Sequence, residues 1–136
     1  MVLKLWSNLE AVDSCVLLRV IENDIPEQRQ MALDLFLRGA DFYVSEAAIG
    51  EVVYVMKKHE YTRQETVERL TDLINNSMFV YGKKFFEPIF EEYVKRPSLS
   101  FEDLVIAKRA EERGCVPVWT FDKKFARQAE VAKLVK

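Results

Sequence analysis

Two aspartates occupy the ends of predicted elements within residues 98–127, which read SLSFEDLVIAKRAEERGCVPVWTFDKKFAR. Asp103 lies near the start of a predicted helix, and Asp122 follows a short run of β-forming residues. Side chains at such positions can converge, because ligands of open α/β sheets bind where several strands end at one edge. The two carboxylates therefore indicate a functional site, whose other members must come from elsewhere in the chain.

The sequence lacks the residues that most other catalytic centres require. His59 is the only histidine and lies in the polar tract KKHEYTRQE, where a solvated loop position is a simpler interpretation than Ser/His/Asp or Cys/His catalysis. Cys15 and Cys115 are far apart and form no CxxC pair, a pattern typical of free thiols in a reducing cytosol rather than of a zinc site. The four glycines form neither GxGxxG nor GxxxxGK, so no phosphate-binding loop is predicted. Carboxylate is the chemistry that remains.

The composition is that of an ordinary soluble domain. With 136 residues, of which 49% are hydrophobic and 31% are charged, the chain is expected to form a single domain spanning 1–136. Its net charge of −2 excludes a strongly basic nucleic-acid footprint over the whole chain but is compatible with a local basic rim. The N-terminal segment has no signal-peptide pattern, and the longest apolar run, 47–56, is too short for a membrane span. We therefore expect a cytoplasmic protein.

Strand-like and helical patterns alternate along the chain. The predicted strands are 9–12, 41–44, 78–81 and 116–119, with a fifth at 131–135. The predicted helices are 26–39, 45–58, 62–76, 87–96, 100–114 and 122–128. The apolar segment 14–21 is expected to pack back onto the first strand. This alternation predicts an α/β fold, with a mostly parallel sheet of four or five strands that helices cover on both faces.

The predicted sheet brings an aspartate from each half of the chain to one edge. Asp13 ends the first strand and Asp122 follows the fourth, and the carboxyl ends of parallel strands lie at the same edge of a sheet. A local explanation is open for both residues, since an acid between a strand and a helix often caps the helix.

Glu51 is the only charged residue in the helical segment AAIGEVVYVM. The segment is apolar nearly all round, which predicts burial of the helix. A buried carboxylate is costly unless it is paired or binds a cation, and this helix contains no arginine that could pair with it. A salt bridge to a distant arginine, or a partly exposed helix face, is the open alternative.

Asp103 is predicted to head the core-facing side of its helix, because it shares a face with Ile106, Ala107 and Ala110. The alternative is local. Ser100 and Asp103 have the spacing of a capping box, and an acid in the first turn is favoured by the helix dipole.

Four acids are thus predicted at or near one crevice, namely Asp13, Glu51, Asp103 and Asp122. Clustered carboxylates repel one another, so a packed cluster implies neutralisation by a divalent metal ion. Oxygen ligands without His or Cys suit hard ions, which favours Mg²⁺ or Mn²⁺. One or two such ions activate water and stabilise both oxygens in phosphodiester cleavage, so the pattern predicts hydrolytic phosphoryl transfer.

Four blocks of the sequence resemble the PIN-domain nucleases, specifically the VapC-like toxin ribonucleases of toxin–antitoxin pairs. The blocks are AVDSCVLLRVIENDIPEQ, YVSEAAIGEVVYVM, LSFEDLVIAKRAEERG and VPVWTFDKKF, and they follow the family's order and spacing. The resemblance implies a three-layer α/β/α fold, endoribonuclease activity on RNA and inhibition by a small antitoxin protein. We also expect a homodimer.

The resemblance further implies roles for individual residues. The matching metal-binding and catalytic acids are Asp13, Glu51, Asp103 and Asp122. Ser14 and Thr120 match small hydroxyl positions beside the first and fourth acids, where they would support the acids or contact phosphate.

Two positions depart from the family pattern. The family often reads Asp-Thr-Asn at its first acid, whereas this chain has Cys15 in place of the amide. Many members carry another acid two residues after the fourth, where this chain has Lys124. These departures keep a second hypothesis open, in which a non-catalytic PIN-like module binds protein or RNA. A third hypothesis keeps the enzyme class but takes structured DNA as the substrate.

Basic residues around the site are expected to contact the substrate's phosphates. The candidates are Arg19, Lys57, Lys58, Lys83, Lys84, Lys123, Lys124 and Arg127. Solubility is the alternative role of each. The aromatic residues, with Trp119 of the fourth strand among them, are expected mainly to pack in the core, while base stacking or a protein-binding groove is open for some.

Overall fold

The computed structural model describes residues 8–136, which form seven helices and five strands. The chain divides into two units, of which the first ends at Gly82 and the second runs from Lys83 to Lys136. Strands and helices alternate in both units, and the paired strands are parallel, which confirms the predicted α/β class. No helix in residues 8–136 has the length and apolar character needed to cross a lipid bilayer.

The first unit contains three strands and four helices. They are β1 (Glu10–Ala11), α1 (Ser14–Glu22), α2 (Pro26–Phe36), β2 (Phe42–Tyr43), α3 (Glu46–Lys58), α4 (Arg63–Ile74) and β3 (Phe79–Val80). The strands form one parallel sheet in the order β1-β2-β3, with Ala11, Tyr43 and Val80 side by side. The chain therefore leaves all three strands at the same edge of this sheet.

Helix α1 was not predicted as a helix from the sequence. Leu17 and Leu18 are buried on its inner face, and α1 packs against α2, α3 and α4. Its main partners are thus helices, rather than the first strand as we expected. The reason is that a continuous apolar run of about eight residues has no clear period, so it fits a strand and a buried helix equally well.

Side-chain caps set the starts of α3 and α4, as the sequence predicts. Ser45 Oγ accepts the backbone N–H of Ala48 at 3.1 Å. Thr62 Oγ1 accepts the backbone N–H of Glu65 at 3.1 Å, and the Glu65 carboxylate accepts the backbone N–H of Thr62 at 2.9 Å. The second pair of bonds completes a capping box, so two otherwise unpaired amides are satisfied at the start of α4.

We expect Thr62→Ala to lower the free energy of unfolding by about 1 kcal/mol, because the substitution leaves the Glu65 N–H without its cap. Urea unfolding at pH 7 measures this loss. Thr62→Ser is the matched control, since serine keeps the capping hydroxyl and should behave as the wild type. Equal stability of Thr62→Ala and the wild type would show that the capping box contributes nothing.

The same capping box carries a pH dependence. Hydrogen bonds from Thr62, with a smaller contribution from Arg69, hold the pKa of the Glu65 carboxyl below its usual value. Because the folded-state pKa is the lower one, the ionised carboxylate stabilises the fold above the unfolded-state pKa, and this stabilisation is lost as the pH falls through the folded-state pKa. The larger contribution comes from the Thr62 backbone N–H, which alanine keeps, and the smaller from the Thr62 side chain. NMR titration should therefore find that Thr62→Ala raises the pKa of Glu65 only part of the way to its usual value.

The second unit contains three helices and two strands. They are α5 (Lys83–Lys95), α6 (Phe101–Glu112), β4 (Val118–Thr120), α7 (Lys123–Gln128) and β5 (Ala132–Leu134). β4 and β5 pair in parallel, with Trp119 beside Lys133. The described residues thus form a three-stranded and a two-stranded sheet, where one sheet of four or five strands was predicted. Strand-forming residues predict the strands themselves, whereas strand pairing depends on contacts that are distant in the sequence.

Aromatic side chains form the core of the second unit, which confirms the packing role expected for most of them. Phe86 is 1% exposed, and its ring centroid lies 5.0 Å from that of Phe85, 5.8 Å from Phe90 and 6.2 Å from Phe101. Tyr93 packs edge-on against Phe101 at 5.6 Å. These rings tie α5 to α6.

Helix α5 begins earlier than the predicted start at Glu87. Phe85 and Phe86 are both buried and lie one turn before the buried Ile89, so extending the helix places all three on one face. Pro88 consequently lies inside the helix, where it removes one backbone hydrogen bond. Burial of two phenylalanine rings outweighs that loss.

Candidate active site

Asp13 caps α1 and lies two residues beyond the end of β1. Its Oδ1 accepts the backbone N–H of Ser14 at 2.7 Å, and the Ser14 hydroxyl donates to the same oxygen at 3.2 Å. Ser14 is 8% exposed, so its hydroxyl is fixed against a carboxylate that is itself exposed. Both bonds go to Oδ1, which leaves Oδ2 without a hydrogen bond to any residue in 8–136.

The start of α3 lies at the same edge of the three-stranded sheet as Asp13. The Val12 N–H donates to the Tyr43 carbonyl at 3.3 Å, so β1 and β2 stay together up to their ends. Asp13 and Ser45 each lie two residues beyond the end of their own strand. Glu51 is six residues beyond Ser45, which is about 9 Å along the axis of α3. The first unit thus places the Asp13 cap beside the start of the helix that carries Glu51.

Glu51 is exposed, so its predicted burial is wrong. Ala47, Glu51, Tyr54 and Lys58 form one exposed stripe along α3, and the Lys58 ammonium lies 5.5 Å from the centre of the Tyr54 ring. Alanine and tyrosine make this face look apolar in the sequence, although only the opposite face, which includes Val52, is buried. The partly exposed face that was left open as the alternative is the one observed.

Asp122 caps α7 and lies two residues beyond the end of β4. Its Oδ1 accepts the backbone N–H groups of Lys124 at 2.8 Å and of Phe125 at 3.1 Å. Thr120 Oγ1 accepts the Asp122 N–H at 3.0 Å, which fixes the turn between the strand and the helix. As in Asp13, Oδ2 has no hydrogen bond within the described part of the chain. The two caps therefore leave one carboxylate oxygen of each aspartate for another ligand.

Asp103 lies in the first turn of α6 and is half-buried. Ser100 Oγ accepts its backbone N–H at 3.0 Å, so the cap uses the Asp103 amide and leaves the carboxylate unused. Phe101 and Leu104 are the buried residues of α6, whereas Ile106 is 49% exposed. The prediction that Asp103 heads the core-facing side is therefore wrong, because the larger apolar side chains occupy that side instead.

The four acids have the chemistry of a site for a hard cation. All are carboxylates with at least partial exposure, and the donor set contains neither His nor Cys. Glu51 and Asp103 make no hydrogen bond or ion pair through their carboxylates within residues 8–136. Asp13 and Asp122 each keep one oxygen unbonded. In donor chemistry the four residues therefore suit a hard divalent cation.

The acids are divided between the two units. Asp13 and Glu51 belong to the first unit, and Asp103 and Asp122 belong to the second. Among the residues that the structure describes, no three His, Cys, Asp or Glu side chains are grouped closely enough to hold a metal ion. Convergence of the four acids on one ion stays a prediction.

The two main candidates for phosphate contact differ in their surroundings. Arg19 Nε donates to the Gln28 side chain at 2.6 Å, and its guanidinium lies 3.4 Å from Asp24, so Arg19 already has partners. Lys123 is exposed at the first position of α7 and has no ion pair within residues 8–136. Lys123 is thus the more available of the two.

Comparison with known proteins gives one match. The PIN domain family matches residues 11–131, which is most of the chain and includes all four acids. The chain belongs to the PIN domain family. PIN domains are in general nucleases that use divalent metal ions. Comparisons with curated proteins and with solved structures gave no match. The resemblance to PIN-domain nucleases is therefore confirmed, while the narrower resemblance to VapC-like toxins stays a prediction.

One surface of this PIN domain was missed from the sequence. Trp119 was expected in the core, yet it is 63% exposed on β4, the strand that pairs with β5 in the second unit. Lys133 and Lys136, which lie near it, were not among the predicted phosphate contacts. The sequence did carry a signal, since residues 115–136 hold five basic and two acidic side chains in a chain of net charge −2.

Proposed function

We propose that this PIN domain is a divalent-metal-dependent endoribonuclease that hydrolyses RNA phosphodiester bonds. Membership of the PIN family over residues 11–131 carries the proposal, together with carboxylates that are free of ion pairs at the four motif positions. In this proposal the acids that jointly hold Mg²⁺ or Mn²⁺ are Asp13, Glu51, Asp103 and Asp122.

A bound divalent ion supplies activation of water and stabilisation of negative charge on the phosphate. The chain's own residues supply orientation and charge. Ser14 donates to Asp13 and so orients that carboxylate, and Thr120 holds the turn that presents Asp122. Lys123, next to Asp122, is placed for phosphate contact, and Arg19 is the second proposed contact.

We further propose that the protein is the toxin of a cytoplasmic toxin–antitoxin pair and that it forms a homodimer. An apolar groove of about 550 Å³ in the first unit supports a protein partner. Its lining includes Val16, Leu35 and Met31, and Met31 is 68% exposed. A small antitoxin could cover these side chains with an amphipathic segment.

Cys15 and Lys124 favour a second candidate function, in which a PIN-like module binds protein or RNA without cleaving it. Both residues are exposed at positions where the family often has an amide and an acid. Calorimetry with Mn²⁺ separates the two candidates, because a binding-only module should show no metal binding that depends on the four acids. Side-by-side digestion of RNA and branched DNA tests the remaining substrate alternative.

Removal of divalent metal should abolish RNA cleavage by the purified protein. We expect a background rate in EDTA and full recovery when Mg²⁺ or Mn²⁺ is added back, because the four carboxylates lack their cation otherwise. Gel analysis of an end-labelled single-stranded RNA measures the rate. Asp13→Asn protein purified in parallel controls for contaminating ribonuclease. Cleavage that continues unchanged in EDTA would rule out the metal-dependent mechanism.

A further inference from the structure

A groove with an aromatic and basic lining lies within the second unit, between β4, α7 and β5. Its volume is about 750 Å³, which is within the usual range for small-ligand sites. Trp119 and Lys133 lie side by side on the paired strands. Lys123 and Arg127 lie one turn apart on α7, and Lys136 follows β5. We call this surface the Trp119 groove.

The Trp119 groove carries uncompensated positive charge. Its lining contains four basic side chains, from Lys123, Arg127, Lys133 and Lys136, and no acidic one. None of the four forms an ion pair within residues 8–136. The stretch 115–136 has a net charge of +3, although the whole chain has a net charge of −2. A concentration of one sign of charge in a concave surface attracts a ligand of the opposite sign, which here is a polyanion.

Trp119 gives the groove a second recognition element. The indole is 63% exposed, and it lies among lysine and arginine side chains rather than among other aromatic rings. A flat exposed ring flanked by cations is the arrangement by which proteins bind single-stranded nucleic acid, since bases stack on the ring and phosphates pair with the cations. A duplex does not offer its bases for stacking in this way.

We propose that the Trp119 groove binds single-stranded RNA, with one base stacked on Trp119 and the adjoining phosphates paired with Lys133 and Arg127. The choice of RNA rests on the proposed ribonuclease function. Binding in the groove uses none of the four acids, so it should persist without metal. The groove would hold the strand next to Asp122, because Lys123 both lines the groove and follows Asp122 in the chain.

Fluorescence anisotropy of a labelled oligouridine in EDTA measures binding without cleavage. We expect Trp119→Ala to weaken binding by about 5- to 150-fold, the usual loss for one stacked base. Phe121→Ala is the matched control, because Phe121 is 82% exposed and does not line the groove, and it should bind as the wild type. Arg127→Ala and Lys133→Ala should each reduce the slope of log K against log [salt] by about 0.7, whereas Lys95→Ala, at an exposed lysine outside the groove, should leave that slope unchanged.

A second measurement keeps Trp119 and so does not depend on correct folding of the Trp119→Ala variant. Trp6→Phe leaves Trp119 as the only tryptophan, and its fluorescence should be quenched when oligouridine is added. Wild-type affinity in Trp119→Ala, or no quenching, would overturn the groove proposal even if the enzyme cleaves RNA. The proposal is also overturned if Trp119→Ala leaves RNA affinity unchanged and dissociates a dimer in sedimentation. Binding that depends on Trp119 without any cleavage in Mg²⁺ would support the groove and reject the enzyme.

Discussion

Asp13→Asn is expected to lower the rate of metal-dependent RNA cleavage by about 10²- to 10⁴-fold. Asparagine has the shape of aspartate but no negative charge, so it cannot neutralise a divalent ion. The fold should survive, because asparagine caps helices as well as aspartate does and its oxygen can still accept the Ser14 N–H. Asp122→Asn should have the same effect, since Asp122 caps α7 through a single oxygen in the same way.

The matched control for these variants is Asp72→Asn. Asp72 is an exposed acid on α4 and is not one of the four proposed ligands, so its loss should leave cleavage unchanged. Single-turnover cleavage of a labelled RNA in Mg²⁺ gives the rates, and circular dichroism confirms that each variant is folded. Wild-type rates in folded Asp13→Asn protein would reject its assignment as a catalytic acid.

Phe86→Ala is expected to lower the free energy of unfolding of the second unit by about 3–5 kcal/mol. Phe86 is 1% exposed and contacts the rings of Phe85, Phe90 and Phe101, so truncation leaves a cavity that its neighbours cannot fill. A loss of this size is a large share of the roughly 5–15 kcal/mol that stabilises a typical domain. The variant should therefore be close to unfolding at room temperature.

Urea denaturation followed by circular dichroism tests this expectation. Phe121→Ala is the comparison, because the same side chain is removed from a position that is 82% exposed, and it should change stability by less than about 0.5 kcal/mol. If the two alanine variants unfolded at the same urea concentration, the aromatic cluster would not be the core of the second unit.

Helix starts could be predicted from the sequence because their signals are local. Ser45, Thr62 and Ser100 were each expected to open a helix, and each accepts a backbone N–H three residues later. Asp122 likewise stands at the predicted junction between a strand and a helix. Such bonds form within one turn, so neighbouring residues alone decide them.

The burial of particular faces could not be predicted in the same way. Glu51 lies in an apolar segment but is exposed, and Trp119 lies in a predicted core strand but is exposed as well. On α6, the face that carries Asp103 was expected to be buried, but the buried side chains are those of Phe101 and Leu104. Which face is covered depends on the elements that pack against it, and these come from distant parts of the chain.

The candidate site was likewise predictable from the sequence only in part. The positions of the four acids follow from sequence spacing and from the PIN family match, which spans them all. The exposed carboxylates and their unbonded oxygens are properties that only the structure supplies. The four acids lie between residues 13 and 122. Whether they share one ion depends on how distant parts of the chain pack together, which no local sequence pattern encodes. Experiment must therefore test it.

Calorimetric titration with Mn²⁺ tests the shared metal site most directly. The wild-type protein should bind Mn²⁺, and Asp13→Asn and Asp122→Asn should each abolish the same binding event, with the double variant no worse than either single variant. Asp72→Asn should bind Mn²⁺ as the wild type does. Unchanged Mn²⁺ affinity in Asp122→Asn, or separate and additive losses in the two single variants, would contradict a site shared by the four acids.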